Sequence, residues 1–319
     1  MNENAPENIH SSVLLKEAVD LMEIEDNGVY VDATLGLGGH TREILQRRET
    51  AAVIGIDQDA AALELAKDRL GLLAKRVTFV NANFEDISKV AADLKVGRVD
   101  GIIADLGVSS LQLDSAERGF SFRFDAPLDM RMDANAEVAT AAELLDSLPE
   151  VEIANLIYRY GEERFSRRIA RRIVERREAG DPVKTTRQLA ELVERALGRN
   201  PKDHIHPATR TFQALRIAVN RELDILAQFL TDGIEILRKN GRFAVITFHS
   251  LEDRIVKQTF QRLSGKCFCP PRMPVCICGA RKVIELVTKK PVVPADDEIK
   301  QNPRSRSAKL RVVRRIADQ

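Results

Sequence analysis

Three carboxylates close apolar runs in the first third of the sequence: Asp32, Asp57 and Asp105. Each run is short and rich in Val, Ile or Ala, which predicts a buried strand. Because the carboxyl ends of parallel strands meet at one edge of a sheet, we expect the three side chains to converge there. Carboxylates at such an edge can accept hydrogen bonds from the hydroxyls of a ribose or from the N–H groups of a reacting amine.

A glycine-rich turn follows the first of these carboxylates and contains Gly36, Gly38 and Gly39. Glycine lets the backbone pass close to a ligand without a Cβ in the way. Thr41 is the predicted N-cap of a helix over residues 42–48, so the turn leads into a helix N-terminus. Strand, glycine turn and helix together are typical of a nucleotide-like cofactor site in an open α/β sheet. The alternative is a turn whose glycines serve packing alone.

The residues around the turn indicate the kind of cofactor. Asp57 lies eighteen residues after Gly39 and suits a ribose with two free hydroxyls, since one carboxylate can accept from both. The turn lacks the Gly-Lys-Ser/Thr ending of a phosphate-binding loop, and its glycine order differs from the GxGxxG of a dinucleotide site. S-adenosylmethionine, which contains adenosine but no pyrophosphate, therefore fits better than NAD.

Two further stretches follow strands at the same predicted edge. After the strand over 76–80, Phe84 can cover an adenine face while Asn83 or Asp86 bonds its edge; the alternative is a core Phe beside a helix cap. Asp105 opens Asp-Leu-Gly-Val-Ser-Ser, where amino-group methyltransferases carry the motif that orients the acceptor. Hydrogen-bond acceptors on an exocyclic amine would favour its pyramidalisation and stabilise the developing positive charge. We therefore predict a catalytic role for Asp105.

The remaining pattern predicts an α/β fold whose strand–helix rhythm is interrupted once. The chain has 319 residues, 44% of them hydrophobic and 30% charged, which is typical of a soluble globular protein and predicts a cytoplasmic location. Residues 1–110 and 217–319 are predicted to form the cofactor-binding domain, and residues 111–216 a helical insertion that recognises RNA. One long helix is predicted from about residue 208 towards residue 226.

Positive charge is concentrated in two stretches although the net charge is only +1. Residues 159–177 carry eight Arg against three Glu, and residues 302–315 carry six basic residues and no acid. An apolar stripe that includes Phe165 places Arg167, Arg168, Arg171 and Arg172 on the opposite face of one helix. Both stretches can neutralise phosphates, whereas the alternative for the helix is an ordinary solvated face. The phenylalanines of residues 118–124 can stack on an extruded base or belong to a core.

A set of long motifs resembles one family, the MraW family of ribosomal RNA small-subunit methyltransferase H enzymes. The motifs are Asp32…Gly38-Gly-His40, Asp105-Leu-Gly-Val-Ser-Ser110, Glu117-Arg-Gly-Phe-Ser-Phe122, Pro127-Leu-Asp-Met-Arg-Met-Asp133, Tyr160-Gly-Glu-Glu-Arg-Phe165, His206-Pro-Ala-Thr-Arg-Thr-Phe-Gln-Ala214 and Phe248-His-Ser-Leu-Glu-Asp-Arg254. The resemblance covers nearly the whole chain. It implies a class I, Rossmann-like methyltransferase sheet with a helical insertion.

The resemblance also implies an activity, which is S-adenosylmethionine-dependent N4-methylation of a cytidine of 16S ribosomal RNA at the decoding centre. The substrate would be the small-subunit ribosomal RNA or the assembled small subunit, and the oligomeric state, a homodimer included, stays open. The implied cofactor contacts are Gly38, Gly39, His40, Asp57, Phe84, Asp105 and Gln112. No general base is implied. The competing functions are methylation of another amine and RNA binding by a protein with a relic cofactor site.

Four cysteines form two CxC pairs, Cys267 with Cys269 and Cys276 with Cys278. Four thiolates so close in sequence can bind zinc tetrahedrally, and the alternative is four thiols without a metal. They form no part of the family pattern, so the predicted site contains no metal ligand.

Overall fold

The computed structural model describes residues 12–198, 206–270, 273, 275 and 277–317. The chain divides into two compact units. The first comprises Met1–Gly107 with Ile225–Gln319, and the second comprises Val108–Asp224. The sequence-based division after residues 110 and 216 was close to these boundaries, but the roles assigned to the two parts stay predictions.

The first unit contains a seven-stranded sheet with the order β3-β2-β1-β4-β5-β7-β6. Its strands are β1 (Val29–Asp32), β2 (Ala52–Asp57), β3 (Val77–Asn81), β4 (Val99–Asp105), β5 (Leu237–Thr247), β6 (Ile284–Leu286) and β7 (Lys309–Arg315). Neighbours among β1 to β5 are parallel, whereas β7 is antiparallel to both β5 and β6. Parallel strands with the order 3-2-1-4-5 make this the predicted Rossmann-like α/β fold.

Helices cover both faces of this sheet. They are α1 (Leu15–Met22), α2 (Gly39–Arg47), α3 (Ala60–Leu70), α4 (Ile87–Asp93), α11 (Glu222–Ile236, continuing from the second unit), α12 (Ser250–Leu263) and α13 (Asp296–Gln301). Side chains of β4 alternate between two cores, since Ile102 packs in the cluster of α11 and α12 and Ile103 packs in that of α1 and α2. Burial on both faces explains why β4 is an uninterrupted apolar run.

The second unit is built from helices around a core of its own. They are α5 (Ser110–Asp114), α6 (Ala141–Ser147), α7 (Glu150–Gly161), α8 (Ser166–Glu178), α9 (Thr186–Leu197) and α10 (Thr209–Asn220). The predicted long helix over 208–226 is wrong, because Arg221 adopts a left-handed conformation with φ of 53° and separates α10 from α11. None of the helices in the described ranges is long and apolar enough to cross a membrane.

Candidate functional site

The glycine turn after β1 is held by main-chain hydrogen bonds to both neighbouring strands. The N–H of Ala33 donates to the carbonyl of Ile103 at 2.8 Å, and the N–H of Leu35 donates to that of Ile56 at 2.9 Å. Gly36 and Gly38 have φ angles of 51° and 76°, a region that residues with a Cβ rarely adopt. The turn is therefore fixed at the carboxyl edge of the sheet, where the sequence placed it.

Asp32 is held at this edge by the first turn of α2. The Thr41 hydroxyl donates to Oδ2 of Asp32 at 2.7 Å, and both residues are buried. Thr41 is therefore not the N-cap that we predicted, since α2 already begins at Gly39 and its N-cap is Gly38. The threonine is the third residue of the helix and orients a carboxylate instead.

Asp57 closes β2 and faces the same turn. Its Oδ2 accepts from the N–H of Gly36 at 2.7 Å, and its Oδ1 accepts from the N–H of Asp59 at 2.9 Å. Burial raises the pKa of Asp57, although these main-chain donors oppose the shift. Each carboxylate oxygen has more than one acceptor site, so Asp57 can fix the glycine turn and still accept from a ligand.

Asp105 closes β4 and carries an atom without a partner. Its main-chain N–H donates to the Thr34 hydroxyl at 2.6 Å. Its Oδ1 is fully buried, yet it accepts no hydrogen bond from the part of the chain that the structure describes. Burial, followed by the charges of Asp32, Glu252 and Glu298, raises the pKa of Asp105 well above its usual value. Buried polar atoms are nearly always bonded, which makes this oxygen a candidate for a ligand contact.

The convergence of the strand ends therefore creates an edge with a surplus of negative charge. Burial, opposed by the hydrogen bond from Thr41, raises the pKa of Asp32 to about 6, and the charge of Asp57 adds to the shift. Two more carboxylates, Glu252 of α12 and Glu298 of α13, also act on Asp105. A cationic group placed among these side chains would favour their ionised forms. The arrangement thus suits a positively charged ligand, such as a cofactor that carries a sulfonium and an ammonium group.

His40, a predicted cofactor contact, has its ring turned away from solvent. Its Nε2 lies 3.2 Å from the carbonyl of Val13, to which it donates. Burial lowers the pKa of His40 to about 4, so the imidazole is neutral at pH 7. The main-chain N–H groups of Gly39 and His40 lie in the first turn of α2, where the helix provides donors to a ligand. An added Cβ on Gly39 would lie 1.9 Å from the Ser12 hydroxyl, so the Ser12 side chain would have to move.

Phe84 follows the end of β3, as predicted, and is half-buried. Its ring centroid is 4.7 Å from that of Phe229, in the core. The Asn83 side chain caps the following 3₁₀ turn by accepting from the N–H of Glu85, and it donates to Gln58 at 3.0 Å. Core packing and capping are therefore both present. They leave adenine binding as a prediction for the partly exposed ring.

The second unit contains Gln112, which is buried. Its Oε1 accepts from the N–H of Ser109 at 3.1 Å, and the Ser109 hydroxyl accepts in return from the N–H of Gln112. This capping box starts α5. Its cofactor contact stays a prediction.

The phenylalanines of residues 118–124 differ in their surroundings. Phe120 belongs to the core of the second unit, and Phe122 is partly buried against this core, with its ring 5.1 Å from that of Phe212. Phe124 is 43% exposed. Of the predicted stacking residues, Phe124 alone presents an exposed ring.

Three groups that complete the edge were not identified as functional from the sequence: the Thr34 hydroxyl, Glu252 and Glu298. Glu252 caps the N-terminus of α12 by accepting from the N–H of Phe248 at 2.8 Å, and Glu298 accepts from the N–H of Leu14 at 2.8 Å. The motif at residues 248–254 was a signal for Glu252. Glu298 lies far along the sequence and has no such signal.

The two basic stretches behave differently. On α8, Ile169 and Ile173 are buried while Arg167, Arg168, Arg171 and Arg172 are exposed, as predicted. Phe165 does not belong to the buried stripe, because it precedes α8, is 43% exposed and lies under the Arg164 guanidinium.

The C-terminal stretch is largely engaged within the first unit. Arg311 pairs with Asp253 at 2.8 Å and Arg314 pairs with Glu285 at 2.6 Å. Arg315 is buried and donates to the carbonyl of Glu235 at 2.6 Å. Arg311 and Arg315 are therefore not open to phosphates, whereas the pair of Arg314 and Glu285 is exposed.

Comparison with known proteins identifies a family over almost the whole chain. The profile of the MraW methylase family matches residues 7–316. A ribosomal RNA small subunit methyltransferase H of Clostridium botulinum is 50% identical over 308 residues, which cover 96% of this chain and 99% of that protein. The protein of the same name from Brevibacillus brevis is 48% identical over 309 residues, with coverage of 96% and 98%. An rRNA methylase structure from Streptococcus thermophilus aligns over 94% of this chain and 95% of its own, with 11% identity and a TM-score of 0.43.

Replacement of Thr41 by Val should destabilise the protein by about 1–3 kcal/mol, because the buried Asp32 carboxylate loses a donor. Thr211→Val is the matched control, since the Thr211 hydroxyl is buried without a partner among the described residues, and its loss should be neutral or stabilising. Urea unfolding followed by circular dichroism measures both. Equal effects of the two substitutions would contradict the role given to the Thr41–Asp32 bond.

Affinity for S-adenosylmethionine should fall as the pH is lowered from 8 to 5. A cation favours ionised carboxylates, so binding must release protons below the Asp32 pKa of about 6. The dissociation constant should then rise by up to about tenfold per pH unit for each coupled proton. Isothermal calorimetry across this pH range measures the effect. In the Asp32→Asn variant, the dissociation constant should depend less strongly on pH. An affinity independent of pH would exclude the coupling.

Proposed function

We propose that this chain, which belongs to the MraW methylase family, methylates the exocyclic N4 amine of a cytidine in 16S ribosomal RNA at the decoding centre. Its cofactor is S-adenosylmethionine, in keeping with a methylase family. The family match supports the reaction type, and the names of relatives half identical to this chain support small-subunit ribosomal RNA as the substrate. With this RNA as substrate, we also propose a cytoplasmic location.

The buried Oδ1 of Asp105 is the observation that carries the chemistry. Within the described residues it has no hydrogen-bond partner, and burial, followed by the charges of the acidic groups around it, raises the pKa of Asp105. A group with these properties fits a cationic cofactor better than a neutral or anionic one. When bound, S-adenosylmethionine supplies a methyl group on a positively charged sulfur, which a nucleophile attacks in line.

Most of the predicted contacts have a defined task in this proposal. Asp57 accepts from the ribose hydroxyls, while the glycine turn and the main-chain N–H groups at the start of α2 receive the rest of the cofactor. Phe84 covers one face of the adenine. The full set of proposed contacts is Gly38, Gly39, His40, Asp57, Phe84, Asp105 and Gln112. His40 contributes through its main chain, because its ring is bonded to Val13.

Asp105 is the proposed catalytic residue. The amine of cytosine is a weak nucleophile because its lone pair is delocalised into the ring. A carboxylate that accepts one of its N–H bonds favours the pyramidal amine and stabilises the charge that develops on it. The positive charge of the cofactor lowers the pKa of Asp105, so the carboxylate is ionised when the reaction complex is assembled. This acceptor role does not make Asp105 a general base.

The helical second unit is the proposed RNA-binding part. The four arginines on the outer face of α8 lie one turn apart in pairs and are supported by a buried apolar face. Arg172 also pairs with Glu175 at 2.8 Å, but exposed pairs of this kind are weak and exchange readily for phosphate contacts.

The decisive experiment uses small ribosomal subunits, and their free RNA, from cells that lack this modification. The protein and methyl-labelled S-adenosylmethionine are added, and the label is mapped by nuclease digestion and mass spectrometry. The proposal predicts label on N4 of one cytidine at the decoding centre. Label on another amine would support the alternative methyltransferase, whereas RNA binding without cofactor binding would support the non-enzymatic protein.

Asp105→Asn should reduce the rate at saturating cofactor and substrate by about 10²–10³-fold, because one preorganised electrostatic group is removed. Asp57→Asn is the matched comparison: it should weaken cofactor binding by roughly 1.5–3 kcal/mol and recover its rate at saturation. Single-turnover kinetics separate the two effects. Full recovery of the rate by Asp105→Asn would leave that residue with a binding role only.

Replacement of Arg167, Arg168, Arg171 and Arg172 by Gln should weaken RNA binding and leave cofactor affinity unchanged. Each lost phosphate contact should reduce the slope of log K against log salt by about 0.7–0.9. Arg187 and Arg195 of α9, both exposed, provide a control pair whose replacement by Gln should not change the slope. An unchanged slope in the fourfold variant would show that the α8 face is only solvated.

A further inference from the structure

A loop between α12 and β6 is closed tightly at its base. The N–H of Val283 donates to the carbonyl of Leu263 at 2.9 Å, and that of Arg281 donates to the carbonyl of Arg262 at 3.1 Å. An antiparallel bridge joins Ser264 to Lys282. The chain between these anchors is therefore a separate excursion from the first unit.

The large apolar side chains that the structure describes in this loop are not buried. Phe268, Met273, Val275 and Ile277 are all exposed, and Val275 and Ile277 are 70% and 74% accessible. A segment this small cannot form a hydrophobic core of its own, and small units of that kind are usually held by disulfides or a metal.

Three sulfur atoms converge inside the loop, those of Cys267, Cys269 and Cys278. All lie within 4.8 Å of one another, and Sγ of Cys278 is 3.7 Å from Sγ of Cys267. A disulfide would require about 2.05 Å. Two thiolates on a tetrahedral zinc ion, each about 2.3 Å from the metal, are separated by about 3.8 Å. The observed spacing thus matches an edge of a zinc–thiolate tetrahedron.

A main-chain N–H group donates to each of these sulfur atoms. The N–H of Phe268 lies 3.3 Å from Sγ of Cys278, that of Ile277 lies 3.3 Å from Sγ of Cys269, and that of Cys269 lies 3.4 Å from Sγ of Cys267. Hydrogen bonds to sulfur favour the thiolate over the thiol and orient it as a ligand. The loop therefore places main-chain N–H donors where metal-bound thiolates would accept hydrogen bonds.

We propose that this loop binds one zinc ion through the thiolates of Cys267, Cys269 and Cys278, with a fourth donor completing the tetrahedron. Binding releases the proton of each thiol, forms three Zn–S bonds and involves no change of oxidation state. Between Leu263 and Val283 the loop has four basic residues, Lys266, Arg272, Arg281 and Lys282, and no acidic residue, which offsets the negative charge of the thiolates.

The proposed zinc ion has a structural role. The ion would hold the two CxC segments together and replace the core that the loop lacks, as zinc does in small domains. The site is independent of the proposed methyl transfer, because it uses none of the residues at the carboxyl edge of the sheet.

The test is the metal content of the full-length protein, purified with zinc and without chelators and measured by plasma mass spectrometry. The proposal predicts about one zinc ion per chain. Cys267→Ser and Cys278→Ser should reduce the content at least about tenfold, because a thiolate is lost. Val275→Ser, which alters an exposed side chain of the same loop, should retain the metal. Zinc-free wild-type protein, bound iron, or a zinc content that survives both Cys substitutions would overturn the proposal.

A second measurement uses wild-type protein and does not depend on the folding of the variants. Cobalt exchanged into the site should show the intense sulfur-to-metal absorption of tetrahedral thiolate coordination, and added zinc should abolish it. Chelation should also expose the bonds after Lys266 and Arg281 to trypsin. A cobalt spectrum without thiolate bands, or a mass two units lower in the isolated protein because of a disulfide, would contradict a zinc site.

Discussion

Burial of several carboxylates together at the carboxyl edge of the sheet, to which their mutual repulsion adds, is the constraint on which the site depends. The pKa of Asp32 rises from 3.8 to about 6, which corresponds to roughly 3 kcal/mol of preference for the neutral form. The fold tolerates this cost because Thr41 bonds Asp32, Thr34 bonds the main chain of Asp105, and Asp57 is bonded by the glycine turn. A cationic ligand would offset the same cost, and we propose that the edge binds a sulfonium cofactor in this way.

The connection between fold and site follows from the sheet. β1, β2 and β4 are buried and parallel, so their carboxyl ends lie side by side and bring Asp32, Asp57 and Asp105 to one edge. The glycine turn is bonded to both neighbours of β1. A shift of either strand would therefore move the turn together with the carboxylates.

Much of the edge could be predicted because its signals are local. Apolar runs that end on Asp, and glycines followed by a helix, identify strand ends and a turn without knowledge of tertiary contacts. Glu298 could not be identified in this way, since it reaches the edge through a bond to Leu14 and not through any nearby motif. The N-cap prediction for Thr41 failed for a related reason. α2 starts at Gly39, three residues before the predicted start at residue 42, and a single Thr does not identify the start of a helix.

The two basic stretches also show that a local sequence pattern does not reveal contacts with distant residues. On α8 the helical period separates Ile169 and Ile173 from the exposed arginines, so the face was predictable. The arginines of β7 have no such period, and their partners Asp253 and Glu285 lie far away in the sequence. Local charge density indicated phosphate binding for both stretches. In the second stretch, however, Arg311 and Arg314 are paired with acidic residues that are distant in the sequence.

The most direct test of the account is to measure the carboxyl pKa values of Asp32 and Asp105 by NMR with carbon-13-labelled aspartate, using Asp→Asn variants for assignment. Without cofactor, both groups should titrate above the usual range of aspartate, and saturation with S-adenosylmethionine should move both pKa values downward. Carboxyls that titrate normally in the free protein, or raised pKa values that the cofactor leaves unchanged, would contradict the claim that this edge is built to bind a cation.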